Sequence, residues 1–290
     1  MYKIAILGCE NTHANSFLTL IREDARFSDV EVIGVYSDEP EAAARVKAKF
    51  GVYVADSYDA FVGKVDGIVI TARHGANHYK YAKPYIQSGI PMYIDKPFTC
   101  DEEEALKLAR ELKDSGCRVS GGTMLIHAPY VKSLKEAVSS GSSGRVYGGM
   151  VRTPVHLDSQ YGGFYFYAQH LGQIIQEIFG YYPKSVRAER HDDVVDVSVK
   201  YDDYTVFGQY VDSNYTYYAS ISTEKGVIGD VIPLTAELSG AEFMSFYNIL
   251  RGENMECSYR ELVAPVSLIT AFNRAIESGN EEQVHPVGEI

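Results

Sequence analysis

Several features are scarce or missing in this chain of 290 residues. The four Cys residues lie far apart and form no C-x-x-C pair, which indicates reduced thiols and a cytoplasmic protein. No apolar run reaches the roughly 18 residues of a membrane span, and we expect no signal peptide because a strand pattern starts at residue 2. Basic residues are few: 27 Lys and Arg against 39 Asp and Glu give a net charge of −12. This balance argues against nucleic acid or an anionic membrane as a partner.

Catalytic and metal-binding motifs of several classes are also absent. There is neither a G-x-S-x-G elbow nor a P-loop, so serine hydrolysis and phosphoryl transfer are not supported. A metal could be imagined where Glu10, His13, His74, His156 and His170 converge, but no H-E-x-x-H spacing exists. The sequence therefore predicts no metal site.

Strand and helix patterns alternate over residues 1–119. The predicted strands are 3–7, 30–36, 53–55, 65–71, 92–94 and one that begins at 119; the predicted helices are 15–21, 41–50, 57–62, 78–88 and 101–115. Continuous apolar strands separated by helices indicate a parallel sheet covered on both faces. We expect a doubly wound (Rossmann) domain over 1–119, with ligands at the carboxyl ends of its strands.

The pattern changes over residues 120–290. Segments 146–155, 185–190, 194–201, 205–211 and 215–223 read as strands, and 130–139, 169–179 and 264–278 as helices. Many of the strands alternate polar and apolar residues, which is typical of an antiparallel sheet with one wet face. We therefore expect a second α+β domain, with a large and mostly antiparallel sheet, that binds substrate and mediates oligomerisation.

The turn after the first strand, Gly8-Cys9-Glu10-Asn11-Thr12-His13, stands where a dinucleotide fold carries G-x-G-x-x-G. Only Gly8 is kept: Glu10 takes the second glycine position and His13 the third. A side chain at the second position fills the space that pyrophosphate uses, and that of Glu10 adds a charge of the wrong sign. Three outcomes are open: Glu10 turns away, the dinucleotide binds weakly or shifted, or none is bound. Asn11 and Thr12 either contact the ligand or cap the helix.

Taken together with this turn, the segments "YSDEPE", the loop before His78, "IDKPFTCD" and "GGFYFYAQHLGQIIQEIFG" resemble the glucose–fructose oxidoreductase / inositol dehydrogenase / MocA (Gfo/Idh/MocA) family. The most specific element is Asp95-Lys96-Pro97, which is similar to the Glu-Lys-Pro of that family. The resemblance covers nearly the whole chain. It implies a nicotinamide-dependent oxidoreductase that binds NAD or NADP.

The resemblance also implies which residues contact the cofactor. They are Gly8, Glu10, Asn11, Thr12, His13, Ser37, Asp38, Thr71, Arg73, His78, Asp95 and Lys96. Ser37 holds the usual position of the ribose-binding acid and Asp38 is one residue beyond it. A displaced Asp38 favours NAD, whereas Ser37 could accept a 2′-phosphate, although no Arg follows it. We favour NAD. For Arg73 a role toward phosphate or a substrate carboxylate is open.

Two residues are candidates for catalysis. Lys96, at a strand end, can donate to a substrate hydroxyl and stabilise an alkoxide. The resemblance makes His170 the proton acceptor, within a segment similar to D-x-G-x-H-x-x-D, and a neutral imidazole is suited to that role. The chain departs from this pattern at Phe166, Ala168 and Gln173. Gln173 lies three residues after His170, so both should approach the same group.

The expected substrate is a small molecule, sugar-like or another polyol. Tyr165, Tyr167 and Gln173 are the candidate substrate contacts, with core packing as the alternative for the two tyrosines. The expected reaction is hydride transfer at a CH–OH group. A non-catalytic or regulatory ligand-binding protein with a degenerate cofactor loop is the alternative. The resemblance also implies a homodimer or homotetramer, formed through the outer face of the second sheet.

Overall fold

The structure is a computed structural model that describes residues 1–288 and 290. It divides into two compact units. Unit 1 contains Met1–Gly122, Ser239–Leu262 and the final Ile290; unit 2 contains Thr123–Leu238 and the chain from Val263 onward. The sequence places a single boundary after residue 119. In the structure the chain returns to unit 1 with Ser239–Leu262, which no pattern in the sequence indicated.

Unit 1 contains a five-stranded parallel sheet in the order β2-β1-β3-β4-β5. Its strands are β1 (Tyr2–Leu7), β2 (Val30–Tyr36), β3 (Gly67–Ile70), β4 (Met92–Asp95) and β5 (Val119–Gly122). Its helices from the first part of the chain are α1 (Thr12–Glu23), α2 (Pro40–Phe50), α3 (Ala76–Ile86) and α4 (Glu102–Asp114). β3 and β4 are buried throughout, as expected for strands covered on both faces. The doubly wound class is confirmed.

One predicted strand and one predicted helix do not form. Residues 53–55 contribute a single parallel bridge, Val35 to Val54, and residues 57–62 form turns. Too few backbone groups pair there to extend a strand. The other predicted elements of this unit are present, with ends that differ by a few residues.

The segment that returns to unit 1 fills its core. α7 (Ala236–Leu250) supplies Phe243 and Phe246, which are fully buried together with Phe17 of α1 and Tyr93 of β4. The rings of Phe17 and Tyr93 meet edge to face with centroids 5.1 Å apart. This packing places the buried Glu242 of α7 beside Tyr93 of the sheet.

Unit 2 is built on a seven-stranded sheet in the order β11-β10-β6-β9-β8-β7-β12. Its strands are β6 (Val146–Val155), β7 (Ser185–His191), β8 (Val194–Lys200), β9 (Thr205–Asp212), β10 (Tyr218–Thr223), β11 (Gly226–Val231) and β12 (Glu282–Gln283). Its helices are α5 (Pro129–Ser139), α6 (Tyr165–Phe179) and most of α8 (Tyr259–Ser278). β6 and β9 pair in parallel and the other five ladders among the described residues of this sheet are antiparallel, so the α+β expectation is confirmed.

The second half of the chain also contains elements that the sequence pattern missed. β11, β12 and α7 were not predicted, and α6 begins at Tyr165 rather than at 169. β11 is exposed along its whole length, so it lacks the alternation that marks a half-buried strand. Within the described residues, no helix has both the length and the apolar character needed to cross a membrane.

Candidate functional site

The β1 turn brings two strand ends very close together. Gly8 has φ +87°, and a Cβ built on it would lie 2.2 Å from the Cα of Ala72, which follows β3. Any larger residue would have to separate the two chain segments, so this glycine is required by contact as well as by conformation. Unit 1 thus keeps the tight first turn of a dinucleotide fold.

The helix that follows has no side-chain cap. Asn11 occupies the N-cap position of α1, but its Nδ2 donates to Asp95 Oδ2 at 3.0 Å. Thr12 Oγ1 donates to Asn11 Oδ1 at 3.3 Å. Capping by these two residues, one of the alternatives from the sequence, is therefore not observed. A helix N-terminus without a side-chain acceptor fits a bound anion, because its first N–H groups point outward along the axis.

Glu10 turns away from its own loop. Its Oε2 accepts a hydrogen bond from Ser37 Oγ at 2.6 Å, and its Oε1 accepts one from the backbone N of Arg73 at 2.9 Å. The carboxylate thus lies across the carboxyl ends of β2 and β3. Of the three outcomes that the sequence left open, the structure has Glu10 turned aside. The Gly8 approach, the uncapped α1 and this orientation together fit a dinucleotide.

The end of β2 carries further acidic groups. Asp38 accepts a hydrogen bond from the Tyr36 hydroxyl at 2.5 Å and lies 3.5 Å from Lys80 Nζ. Partial burial works against its ionisation, but these hydrogen bonds and Lys80 hold the pKa of Asp38 below its usual value. Ser37 is almost buried and accepts from the backbone N of Glu39 at 3.0 Å.

The loop after β3 is used mostly for structure. Thr71 is fully buried and donates to the carbonyl of Gly8 at 3.0 Å. His78 is also fully buried, with Nδ1 2.7 Å from the carbonyl oxygen of Pro97 and Nε2 2.9 Å from that of Ala72. Burial lowers the pKa of His78. Both ring nitrogens thus contact the backbone, and a contact between His78 and the cofactor stays a prediction.

Arg73 binds within the same loop cluster. Its guanidinium donates to the backbone oxygen of Glu10, and its Nη1 lies 3.9 Å from Glu39 Oε1. The predicted roles toward phosphate or a substrate carboxylate would therefore require Arg73 to exchange these acidic and carbonyl partners. The arrangement instead neutralises part of the charge around Glu10.

Lys96 follows β4 and joins Pro97 through a cis peptide bond. Asp95 is fully buried, and its Oδ1 accepts from the backbone N of Lys96 at 2.7 Å. Lys96 itself is 5% exposed; burial lowers its pKa, while Asp95 and Glu242 work in the opposite direction. A partly desolvated ammonium at a strand end is a strong electrostatic donor for an oxygen that gains negative charge.

His13 joins Asp95 to a buried acid that sequence reasoning missed. Its Nδ1 lies 3.0 Å from Asp95 Oδ2 and 3.9 Å from Glu242 Oε2, and the Tyr93 hydroxyl donates to Glu242 Oε1 at 2.7 Å. Burial opposes protonation of His13, but Asp95 and Glu242 outweigh it and raise its pKa to about 9. The pKa of Asp95 is lowered because its attraction to His13 exceeds the cost of burial. Burial, reinforced by Asp95, raises the pKa of Glu242.

The same three groups are a candidate metal-ligand set that the sequence did not predict. One ligand atom each from His13, Asp95 and Glu242 lie within 4.8 Å of one another. The cluster already contains two groups that can carry positive charge, His13 and Lys96, beside the carboxyl groups of Asp95 and Glu242. A divalent ion would add charge beside Lys96, and we therefore describe the set as an ion-pair cluster.

In unit 2, the Thr123 hydroxyl holds the ring of His170. Thr123 Oγ1 and His170 Nδ1 are 2.7 Å apart, and His170 is 5% exposed. Gln173 Oε1 accepts from the backbone N of Thr123 at 2.9 Å and from Gln169 Nε2 at 2.9 Å. The i, i+3 spacing predicts that His170 and Gln173 approach the same group, and both contact Thr123. Gln173 thus binds the backbone of the turn whose Thr123 hydroxyl contacts His170. The sequence predicts that Gln173 contacts the substrate, and that contact stays a prediction.

Aromatic rings surround this histidine. Tyr167 meets the ring of His170 edge to face at 4.8 Å and that of His156 at 4.8 Å. Tyr217 approaches His170 from another side at 6.0 Å. Tyr165 instead directs its hydroxyl to Thr270 Oγ1 at 2.7 Å. Of the two predicted substrate tyrosines, Tyr167 therefore lies against His170 and Tyr165 bonds to α8.

Two residues of the candidate site, Thr123 and Glu242, are not predicted from the sequence, for different reasons. Thr123 directly follows β5, so the rule that ligands gather at strand ends would have pointed to it. Glu242 lies in a helix that the hydrophobic pattern did not reveal, in a segment assigned to the other domain. No local signal marks it.

A parallel sheet with its ligand-facing residues at the strand ends defines unit 1 as a dinucleotide-type α/β domain. Residues 2–123 match the model of the Gfo/Idh/MocA family, described as an oxidoreductase family with an NAD-binding Rossmann fold. Residues 2–123 are therefore similar to that family, as the sequence motifs predict.

The sequence is also similar to UDP-N-acetylglucosamine 3-dehydrogenase of Acidithiobacillus ferrooxidans. The two are 29% identical over 107 residues, which are 37% of this chain and 34% of that protein. The alignment therefore spans about a third of the relative.

Solved structures share the fold along almost the whole chain. A myo-inositol dehydrogenase from Corynebacterium glutamicum superposes with a TM-score of 0.84 at 15% identity, covering 99% of each chain. The WlbA dehydrogenase from Bordetella pertussis, crystallised with NADH and UDP-GlcNAcA, gives a TM-score of 0.82 at 19% identity, covering 98% of this chain and 99% of that one. At these identities the likeness establishes the fold.

Proposed function

We propose that the protein is an NAD-dependent dehydrogenase that transfers hydride at a CH–OH group of a sugar-like or polyol substrate. The observation that carries the proposal is Lys96: a nearly buried ammonium placed by Asp95 at the carboxyl end of β4, in an NAD-binding Rossmann unit of an oxidoreductase family. The proteins similar to this chain carry names that refer to inositol and to UDP-N-acetylglucosamine, which supports a polyhydroxylated substrate.

Bound NAD would supply the acceptor for the hydride. Gly8 would keep the tight turn between β1 and α1, and the N-terminus of α1 would face the phosphates of the cofactor. Lys96 would donate a hydrogen bond to the reacting oxygen of the substrate and stabilise the negative charge that forms there. Asp95 would act as a positioning residue for the turn that carries Lys96.

His170 would take the hydroxyl proton as the carbon–oxygen double bond forms and the hydride leaves the same carbon. The support for this role is its near-complete burial and the contact between its Nδ1 and the Thr123 hydroxyl, which fixes the ring. Tyr167 would contribute an apolar wall beside it. The two carboxylates of the family pattern are absent here, so the neutral hydroxyl of Thr123 would orient the ring of His170.

The test is a titration with NADH and NADPH, followed by turnover with a panel of inositols and UDP-sugars. The chain contains no Trp, so nicotinamide fluorescence is read without its background. We expect Lys96→Met and His170→Asn each to lower kcat by about 100-fold or more, with cofactor Kd changed less than about threefold. Lys107→Met and His191→Asn, at exposed positions, are the matched controls.

Two results would count against the proposal. If neither dinucleotide binds at millimolar concentration, the dehydrogenase function is wrong and the ligand-binding alternative replaces it. If the dinucleotide binds but both variants turn over like the wild type, the assigned roles of Lys96 and His170 fail.

We also infer a homo-oligomer formed through the outer face of the sheet of unit 2. Met150 pairs with Phe207 across β6 and β9, and Ser220 pairs with Met150 and with Gly229, so Val227 and Val231, two residues on either side of Gly229, lie on the same face as Phe207. Phe207 is 59% exposed and Val227 73%. Such an apolar row favours burial against a second copy. Light scattering should give a dimer or tetramer mass, and Phe207→Glu a smaller one.

A cytoplasmic location is the last part of this proposal. The support is that Cys9, Cys100 and Cys117 are free thiols, with Cys9 and Cys117 buried. Burial raises the pKa of the Cys9 thiol to about 12, which keeps it protonated and unreactive. Fractionation of the source cells would test the location directly.

A further inference from the structure

The carboxylate of Glu10 lies at an unusual place for a residue of the first turn. It is within 2.6 Å of Ser37 Oγ, directly beyond the end of β2. In a dinucleotide fold, the residue at the end of β2 is the acid that binds the adenosine ribose. Here that position holds a serine, and the carboxylate beside it comes from the β1 loop.

The Ser37 hydroxyl is already fully engaged. It donates to Glu10 and accepts from the backbone N of Glu39 at 3.0 Å. A hydroxyl has one proton to give, so Ser37 has none left for a phosphate oxygen. This removes the alternative in which Ser37 receives the 2′-phosphate of NADP.

The charges around this point are mainly negative. Glu10, Asp38 and Glu39 provide three carboxylates, against the cations of Arg73 and Lys80. Arg73 donates to the backbone oxygen of Glu10 and lies 3.9 Å from Glu39, and Lys80 lies 3.5 Å from Asp38. A 2′-phosphate would enter a region whose positive charges already face acids.

Glu10 retains the capacity to bind a ribose. Each carboxylate oxygen has about two acceptor sites, and each has one protein donor, Ser37 Oγ or the Arg73 backbone N. A ribose hydroxyl can therefore donate to Glu10 without displacing either contact. The same two contacts hold the side chain in place and away from the space in front of its own loop.

We propose that Glu10 selects NAD(H) over NADP(H), by supplying from the β1 loop the ribose-binding carboxylate that dinucleotide folds place at the end of β2. This inference rests on the proposed function, since it requires that a dinucleotide binds. It assigns a specificity role to the residue whose charge first argued against binding.

The test measures Kd for NADH and NADPH by nicotinamide fluorescence in the wild type, Glu10→Gln and Glu41→Gln. We expect the wild type to prefer NADH by roughly 100-fold, since a lost charged hydrogen bond is worth about 10- to 100-fold in affinity. Glu10→Gln should weaken NADH by at least about 10-fold and leave NADPH unchanged or tighter. Glu41→Gln, at an exposed position at the start of α2, removes the same charge and should change neither.

A double variant that moves the carboxylate from the β1 loop to the end of β2 tests whether weaker NADH binding in Glu10→Gln is caused by misfolding. Glu10→Gly combined with Ser37→Asp returns the acid to β2 and restores the glycine, and it should recover the preference for NADH. Circular dichroism spectra would confirm that each variant is folded.

The possible failures are distinguishable. If the wild type binds neither dinucleotide, the proposed function itself is wrong. If it prefers NADH and Glu10→Gln keeps the same NADH/NADPH ratio, the proposed function stands and this inference is overturned. Equal tightening of both dinucleotides in Glu10→Gln also overturns it, because Glu10 would then be a general obstruction.

Discussion

The side chain of His13 in unit 1 is 14% exposed and His170 in unit 2 is 5% exposed, but their surroundings differ in kind. His13 lies against the carboxylates of Asp95 and Glu242, and these raise its pKa to about 9. His170 contacts the hydroxyl of Thr123 and the faces and edges of tyrosine rings. One histidine is held by charge, the other by neutral hydrogen bonding and packing.

The difference has a chemical consequence. A histidine between two acids stays protonated over the working range of pH and serves as a fixed cation. His170 instead has the hydroxyl of Thr123 within hydrogen-bond distance of Nδ1, a contact that can orient a ring for proton transfer. The comparison therefore supports a structural role for the first cluster and the proposed proton transfer for the second, and four predictions test it.

The largest expected effect comes from Asp95→Asn. This change removes the fully buried carboxylate of Asp95, which is the nearest anion to the His13 cation. Removing one partner of a buried ion pair costs roughly 3 to 5 kcal/mol of unfolding free energy. Urea unfolding followed by circular dichroism should show that loss. The control is Asp196→Asn. Asp196 is exposed on β8 and accepts a hydrogen bond from Gln209 Nε2 at 3.0 Å, so this change should cost less than about 1 kcal/mol of unfolding free energy. Equal losses in the two variants would mean that the cluster is not a stability element.

This cluster also shows how far the sequence could lead. The strand–helix alternation and the Asp95-Lys96-Pro97 motif were enough to predict the doubly wound sheet and the place of Lys96, because both depend on local pattern. Glu242 could not be found that way, since it reaches His13 only through the return of Ser239–Leu262 to unit 1. A contact between residues more than two hundred positions apart produces no periodic pattern of apolar residues in the sequence.

The β1 turn shows the same limit of sequence patterns. The sequence singles out Glu10 but leaves the direction of its side chain open. That direction depends on Ser37 and on the backbone of Arg73, which belong to two other strand ends. In unit 2, the i, i+3 spacing of His170 and Gln173 predicted a shared partner, while its identity, Thr123, required the fold.

The second prediction concerns pH and His13. The pKa of His13 in the folded state, about 9, lies above the 6.5 of a free histidine side chain. Protonation therefore stabilises the folded state fully below about pH 6.5, and this contribution disappears as pH rises through about 9. The shift corresponds to roughly 3 kcal/mol. The difference in unfolding free energy between wild type and His13→Asn should be large at pH 6 and shrink toward pH 10.

His191→Asn is the matched control for that measurement. His191 is exposed on β7 and lies 3.5 Å from Glu189, so its variant should track the wild type at every pH. A difference for His13→Asn that stays constant from pH 6 to pH 10 would show that His13 acts by packing, and the contrast between the two histidines would be lost.

The third prediction concerns the partner of His170. Thr123→Val keeps the shape of the side chain and removes the hydroxyl that contacts Nδ1 at 2.7 Å. We expect kcat to fall by about 10-fold, the size of one neutral hydrogen bond, with KM changed little. The pH dependence of kcat should shift as well, because the ring nitrogen loses its hydrogen-bond partner. Thr270→Val is the control, and an unaltered pH profile in Thr123→Val would argue against Thr123 as a positioning residue.

The smallest effect separates the two tyrosines of α6. The Tyr165 hydroxyl contacts Thr270 Oγ1 at 2.7 Å, so Tyr165→Phe should cost about 1 kcal/mol of unfolding free energy and change kcat/KM less than about twofold. Tyr167 touches the rings of His170 and His156, and Tyr167→Ala should instead lower kcat/KM by about 10-fold through loss of the wall beside His170. The measurement is steady-state kinetics with the best polyol substrate, paired with urea unfolding of each variant. A loss of kcat/KM in Tyr165→Phe as large as that in Tyr167→Ala would return Tyr165 to the substrate contacts that the sequence predicts, and it would extend the neutral cluster around His170 along the first turn of α6.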